Sequence, residues 1–322
     1  CDPKLCLKFT GCADLTANGQ SQQIDTLSVI DDGKNSIMNI NDCPYELATS
    51  TFKSLKKKYD KIDILLTGYG GAGPYPQCFD NLNMDEKQVA AKKKERQFLD
   101  QALNFIDDLK PNYYLPFAGT YTLSGKLSKL QDLRGVSSVN NAYEYIDNKI
   151  KDKKTKSIKI NPGSTFDLAT QKTDKPYKPV DKKEYKKYVE ENLVNRPLAY
   201  EMDDEPNFNE IFELGKKAFT KFLEKKLINN VVLESDIFIK VNDKSLMLGK
   251  NNKIIAVNTK DINKLSSKYV IFDTDIKLLK RLLLGPRFAH WNNAEIGSHI
   301  KFFRKPDVFE RKLYSLMSYF HA

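Results

Sequence analysis

Histidine is almost missing from this chain. His290, His299 and His321 are the only three in 322 residues, and all lie near the C-terminus. No imidazole-rich metal centre can therefore form in the long stretch before His290. Long apolar runs are also missing. Ile62-Asp63-Ile64-Leu65-Leu66 and Leu282-Leu283-Leu284 are far too short to span a bilayer, so no membrane span is expected. The five cysteines, at positions 1, 6, 12, 43 and 78, are odd in number and contain no Cys-x-x-Cys pair. That excludes a zinc ribbon or a paired-ligand iron–sulfur cluster and points to free thiols in a reducing, cytoplasmic compartment. No Gly-Lys-Ser/Thr follows the glycine-rich loop, so there is no P-loop, and no Rossmann fingerprint or Ser/His/Asp arrangement is present.

What is present is enough for a folded core. Hydrophobic residues make up 40% and aromatics 11%, which excludes wholesale disorder, and the length suits two domains. The net charge of +10 invites a nucleic-acid reading, but its location argues otherwise. Between Lys149 and Lys187 there are thirteen lysines, no arginine and five acids, a net of +8. Few aromatics interleave them for stacking, so the run reads as a solvated extension, and no nucleic-acid partner is expected.

Pattern divides the chain at three places. Residues 24–42 read as a hairpin, with Leu27, Val29 and Ile30 facing Ile37, Met38 and Ile40 across an Asp31-Asp32-Gly33-Lys34 turn. A buried-type strand follows over 61–66. An amphipathic helix over 85–110 carries Phe98, Leu99, Ala102, Leu103, Phe105, Ile106 and Leu109 on one stripe and Lys92, Lys93 and Lys94 on its wet face. The next strand is 113–117. Strand, helix, strand implies an α/β layer for residues 1–148. Residues 149–205 are lysine- and proline-rich with little periodicity and read as an extension or linker. From Asn207 helical spacing returns. Strands at 231–241, 244–248, 253–258 and 269–272 follow, then a helix capped by Thr274 and stopped by Gly285, a strand at 300–303 and a helix opened by Pro306. Residues 206–322 thus form an α+β unit.

Four segments carry a family resemblance. They are Asn39-Ile40-Asn41-Asp42-Cys43, Thr67-Gly68-Tyr69-Gly70-Gly71-Ala72-Gly73-Pro74-Tyr75-Pro76, Pro116-Phe117-Ala118-Gly119-Thr120-Tyr121 and Asn161-Pro162-Gly163-Ser164. In that order they resemble the second half of a metallo-β-lactamase-fold domain, in the branch of the CMP-sialic acid hydroxylases and UlaG-like hydrolases. The fold class expected is a partial αββα sandwich followed by the α+β unit. That second unit resembles a sterol-carrier-protein-2-like domain through Val270-Ile271-Phe272-Asp273, Leu283-Leu284-Gly285 and Ile296-Gly297. The family normally holds its metals with a His-x-His-x-Asp-His loop in its first half, which this sequence lacks. The start at Cys1 fits an interrupted gene model, and a lipidated mature lipoprotein beginning Cys1-Asp2 is the rival explanation.

The resemblance implies site residues. Asp42, at a strand end, takes the place of a metal-bridging carboxylate, with Zn, Fe or Mn as the ion in a complete protein. By itself an Asp there is also an ordinary turn or cap. Gly70, Gly71, Tyr75 and Tyr121 are implied at a substrate-binding rim. A glycine loop also serves close packing under a sheet. Ala118 stands where UlaG-like enzymes tend to place a ligating His, and the Pro-Phe-Ala run fits the hydroxylase branch better. His290 beside Trp291 reads as a structural residue. The first functional expectation is the C-terminal portion of a metal-dependent enzyme acting on a nucleotide-sugar or phosphorylated carbohydrate, catalytically silent and without tight metal binding as this chain stands. The second is a binding module with an apolar or lipid ligand in a tunnel lined by Phe219, Leu223, Leu279 and Leu283. The third is a metal-free structural protein. Self-association is expected if the inner sheet face lacks its partner sheet.

Overall fold

The computed structural model describes residues 6–15 and 21–322, with side chains from Leu27 onward except at positions 47 and 50. Cys1 and the side chains of Cys6 and Cys12 lie outside the described residues, while Cys43 and Cys78 are buried and form no disulfide among the described residues. The class is mixed α/β. The chain divides into two compact units. Unit 1 takes residues up to 71, 92–121 and 135–186. Unit 2 takes 72–91, 122–134 and 187–322.

Unit 1 is built on a six-stranded sheet with strands in chain order. β1 (Cys6–Leu15), β2 (Ser21–Asp31) and β3 (Ser36–Asn39) are antiparallel. The β2–β3 turn is locked by carboxylates. Asp31 accepts from the Gly33 amide at 2.8 Å, and Asp32 accepts from the Asn35 amide at 2.7 Å. β4 (Ile64–Gly68), β5 (Tyr113–Phe117) and β6 (Lys156–Ser157) then add in parallel to β3. Parallel neighbours need crossovers. Here these are α1 (Tyr45–Lys58), α2 (Met84–Leu109) and α3 (Val139–Lys149). All three contribute to one core with Leu27, Val29, Met38, Ile40, Leu65 and Tyr114. The helices thus pack on one face of the sheet. On the opposite face Ile30, Ile37, Ile64 and Tyr113 lie side by side in register across four strands. The sixth strand falls inside the lysine-rich stretch that reads as a linker. Two residues are too short to show a period.

Asp63, 5% exposed, fixes the register of the parallel strands. Its carboxylate accepts from the Ser36 amide at 3.0 Å and from Asn112 Nδ2 at 2.9 Å, and Lys61 pairs with it at 2.7 Å. Its backbone exchanges bonds with Ser36 and Tyr113. One residue therefore ties together the starts of β3, β4 and β5.

In α2 the sequence stripe is largely confirmed. Leu99, Ala102, Phe105, Ile106 and Leu109 are buried, while Leu103 is only half-buried. Its start is a reciprocal box that periodicity did not show. The Asn83 amide donates to Glu86 at 2.8 Å, and the Glu86 amide donates to Asn83 at 3.0 Å.

Unit 2 packs helices on a five-stranded sheet. α4 (Lys182–Tyr188) reaches its first residues, and α5 (Phe208–Ile228) is capped by Asn207, which accepts from the Glu210 amide. Before α4 in sequence, a short hairpin of β7 (Phe166–Asp167) and β8 (Lys172–Thr173) belongs to unit 1. The sheet of unit 2 comprises β9 (Asp236–Val241), β10 (Lys244–Gly249), β11 (Lys253–Asn258), β12 (Tyr269–Thr274) and β13 (Ile300–Lys305), in the order β11-β10-β9-β12-β13. β9 and β12 pair in parallel and the rest antiparallel. α6 (Ile262–Leu265), α7 (Ile276–Leu284), α8 (Trp291–Ile296) and α9 (Arg311–Met317) complete it. The meander, the crossover helix and the returning strand follow the sequence pattern. Two caps differ from it. Asp275, not Thr274, caps α7 by accepting from the Lys277 amide, while Thr274 donates to the His299 carbonyl. Pro306 does not open the last helix, which begins at Arg311. Phe219, Leu279 and Leu283, expected along a tunnel, are buried in one continuous core with Ile237, Leu246 and Phe272.

Two substitutions test this description by chemical denaturation. Phe105→Ala should cost about 3–5 kcal/mol, and Leu103→Ala less, because only the first empties a fully buried site. Asp63→Ala should cost about 2–4 kcal/mol, because it leaves the Ser36 amide and the Asn112 amide group without their acceptor.

Candidate functional site

In open α/β sheets, ligands bind outside the carboxyl ends of the parallel strands. Unit 1 places there three of the segments that carry the family resemblance and the first half of the other, up to Gly71, while residues 72–76 belong to unit 2. Residues 39–43 follow β3, residues 67–71 close β4, residues 116–121 close β5 and residues 161–164 follow β6. The site is built up from these ends.

After β3 the chain turns sharply. The Asn41 amide donates to Asn39 Oδ1 at 2.8 Å, and Asn41 itself is left-handed at φ 47°. Cys43 is buried behind the turn, so Asp42 stands exposed at the strand end. Among the described residues no group of three or more His, Cys, Asp or Glu side chains could hold a metal ion. A resident Zn, Fe or Mn requires several ligands in a set geometry. The described residues therefore do not fit a metal centre.

The glycines after β4 are explained by packing. Gly70 is buried, and a Cβ there would overlap the Gly119 carbonyl oxygen. A Cβ on Gly119 would sit 2.6 Å from the Tyr69 ring, and one on Gly71 would run into Phe98. The two loops approach backbone to backbone, which only glycine permits. At the end of β5 Ala118 is exposed and left-handed, at φ 50°, which costs energy for a residue with a side chain.

A chain of hydroxyls links the two loops. Thr120 Oγ1 donates to the Ser137 carbonyl at 2.9 Å, so Tyr69 must donate its hydroxyl proton to Thr120, 2.8 Å away. Burial raises the Tyr69 pKa. Further along, Tyr143 donates to the Ile158 carbonyl at 2.7 Å and meets Tyr177 edge-on at 5.7 Å. Tyr177 donates to Asn140 at 2.5 Å. Asn161 exchanges two bonds with the Lys178 backbone, at 2.8 and 2.7 Å, and so pins the loop after β6. Tyr69 and Tyr143 are buried, so the edge itself presents exposed Thr120 and half-buried Tyr177 and Asn161, polar groups suited to a polyhydroxy ligand and without a strong nucleophile. Tyr121 is half-buried at the end of this region. Tyr75 belongs to unit 2, where it meets Phe79 edge-on at 5.4 Å. Sequence reading missed Tyr69, Thr120, Tyr143 and Tyr177. Two of them lie inside the quoted segments, but pairing them requires the strand order.

The histidines are in unit 2 and hold structural positions. His290 Nδ1 accepts from the Asn292 amide at 3.2 Å and caps α8. His299 lies 3.3 Å from the Tyr200 hydroxyl, and burial lowers its pKa. His321 packs at the C-terminus against Lys221, at 3.3 Å. Burial pushes the Cys78 thiol up to about 11, which makes it a poor nucleophile. No helix of the described residues is long and apolar enough to cross a membrane.

No protein-family model matches the sequence, and no curated protein does. Among solved structures, CmlA, a diiron β-hydroxylase from Streptomyces venezuelae, aligns with 42% of this chain and 27% of its own at 12% identity and a TM-score of 0.22. A variant of the CmlA β-hydroxylase aligns over 42% and 26% at 11% identity, with a TM-score of 0.25. The chain spans about a quarter of the length of those proteins. Overlap at this level assigns neither fold nor activity.

One half-buried acid makes stability depend on pH. Burial raises Glu295, on α8, from 4.5 to about 7. A carboxyl with a raised pKa in the folded state binds its proton more tightly there than when unfolded. Its contribution is therefore present below about 4.5 and lost as pH rises through about 7. Glu295→Gln should stabilise the protein by about 1–3 kcal/mol at pH 8 and leave it unchanged at pH 4. Thermal melts at the two pH values check this.

Proposed function

We propose that unit 1 is a metallo-β-lactamase-like half-sandwich whose strand-end face binds a nucleotide-sugar or phosphorylated carbohydrate, and that it serves a metal-dependent enzyme without housing the metal itself. The observation that carries this reading is the place of the four motif segments. They are scattered over more than a hundred residues of sequence, yet they fall, the second as far as Gly71, at the carboxyl ends of four consecutive parallel strands. The one-sided sheet supports it, since the helices cover one face and the row Ile30, Ile37, Ile64 and Tyr113 lines the other, as a second sheet would require. The same apolar row is the surface through which the chain would self-associate. Asp42, Gly70, Gly71 and Tyr121 belong to the proposed face, with the glycines shaping it and the Tyr69–Thr120 pair supplying hydroxyls. Unit 2 is read as the sterol-carrier-protein-2-like companion on its element order of helix, meander, strand, helix, strand, helix.

Calorimetry with UDP-glucose and glucose 6-phosphate tests the binding, and equilibrium dialysis against Zn, Fe and Mn tests the metal. The expected result is sugar-phosphate binding weakened about tenfold by Thr120→Val, with no stoichiometric metal. Failure of both ligands to bind would remove the substrate class. One tightly held metal per chain would remove the account of Asp42.

A further inference from the structure

Unit 1 has a second concave feature, away from the strand ends described above. β6 is the last strand of its sheet, so one of its edges is open. The amides of Lys156 and Ile158 bond back to β5, to the carbonyls of Asn112 and Tyr114. Alternation along a strand turns the amides of Ser157 and Lys159 the other way, toward the open edge. The β7–β8 hairpin stands across from that edge and leaves a cleft of about 550 Å³, within the size range of roughly 300–1,000 Å³ usual for small-ligand sites. Its walls are Lys156, Lys159 and Lys172, the Tyr113–Phe166 ring pair, and backbone of both elements.

The charges in this cleft are unevenly satisfied. Lys159 pairs with Asp147 at 2.9 Å. Lys156 and Lys172 are exposed and have no acidic partner among the described residues. The two hairpin acids do not neutralise them. Asp167 accepts from the amides of Ala169 and Thr170, and Asp174 from that of Thr165, and neither lines the cleft. Tyr113 and Phe166, both half-buried, meet at 5.0 Å with a tilt of 60° and leave part of each ring accessible. Two free ammonium groups, outward amides and an aromatic pair are the elements that hold a phosphate beside a planar ring.

We infer that this cleft binds a nucleoside diphosphate, with the phosphates on Lys156, Lys172 and the open-edge amides and the base against Phe166 and Tyr113. An open cleft of this size with one aromatic pair suits a mononucleotide. A single strand of nucleic acid would need successive stacking rings along a groove. The inference does not rest on the strand-end reading, because it uses none of the strand-end residues and shares only Tyr113 with the apolar row.

The test is calorimetry on the full chain with ADP and with inorganic pyrophosphate, alongside anisotropy with a labelled single-stranded oligouridylate. ADP should bind one to one. Lys156→Gln combined with Lys172→Gln should weaken it about tenfold or more, while Lys153→Gln with Lys154→Gln, the same charge change outside the cleft, should leave it unchanged. Phe166→Ala should weaken ADP several-fold and leave pyrophosphate unaffected. Absence of ADP binding, equal loss from both lysine pairs, or tight oligouridylate binding that ADP does not displace would each overturn the inference. All substituted side chains are exposed or half-buried, and matching thermal melts confirm that the variants fold.

Discussion

The buried carboxylate of Asp63 is the constraint on which unit 1 depends. A parallel sheet has no hairpin turns to set its register, so something else must align the strand starts. Asp63 does so with two side-chain bonds and two backbone exchanges that reach Ser36 on one side and residues 112–113 on the other. Once the starts are level, strands of four or five residues end level too. Asp42, Gly70 and Gly119 then emerge along one edge of the sheet. The site at the carboxyl ends follows from a carboxylate at the amino ends.

That alignment explains which parts of the structure the sequence discloses. Helix α2 is legible because its stripe repeats over about three turns from Phe98 to Leu109, and β2–β3 because a turn rich in Asp and Gly separates two apolar runs. β6 is not legible. Lys156 and Ser157 are polar, the strand is two residues long, and its place depends on the Asn112 and Tyr114 carbonyls, far away in sequence. The cap of α7 shows the limit of a local rule. Thr274 and Asp275 are both good N-caps. The choice falls on Asp275 because Thr274 is already committed to the His299 carbonyl just before β13.

The candidate site divides along the same line. Glycine at positions 70 and 119 announces close approach, and the structure shows what approaches. Each loop is the other's neighbour, so packing alone requires the glycines whatever else binds there. The Tyr69–Thr120–Ser137 relay carries no sequence signal, since hydroxyl residues are common in loops and only the strand order brings these together. Asp42 lies at an exposed strand end, and among the described residues no group of three or more His, Cys, Asp or Glu side chains could hold a metal ion.

Charge tells a related story. The lysine run between 149 and 187 reads as a featureless solvated segment when only its composition is considered. The fold sorts it. Lys151 and Lys159 are matched by Asp107 and Asp147 at 3.3 and 2.9 Å. Lys156 and Lys172 are brought from opposite ends of a loop to the walls of one cleft, where an aromatic pair already sits. Screening makes scattered surface lysines nearly independent of one another. Two of them facing a common space beside outward amides act on the same ligand. The difference between a solvated run and a binding surface is therefore set by the sheet edge and the hairpin, not by the number of lysines.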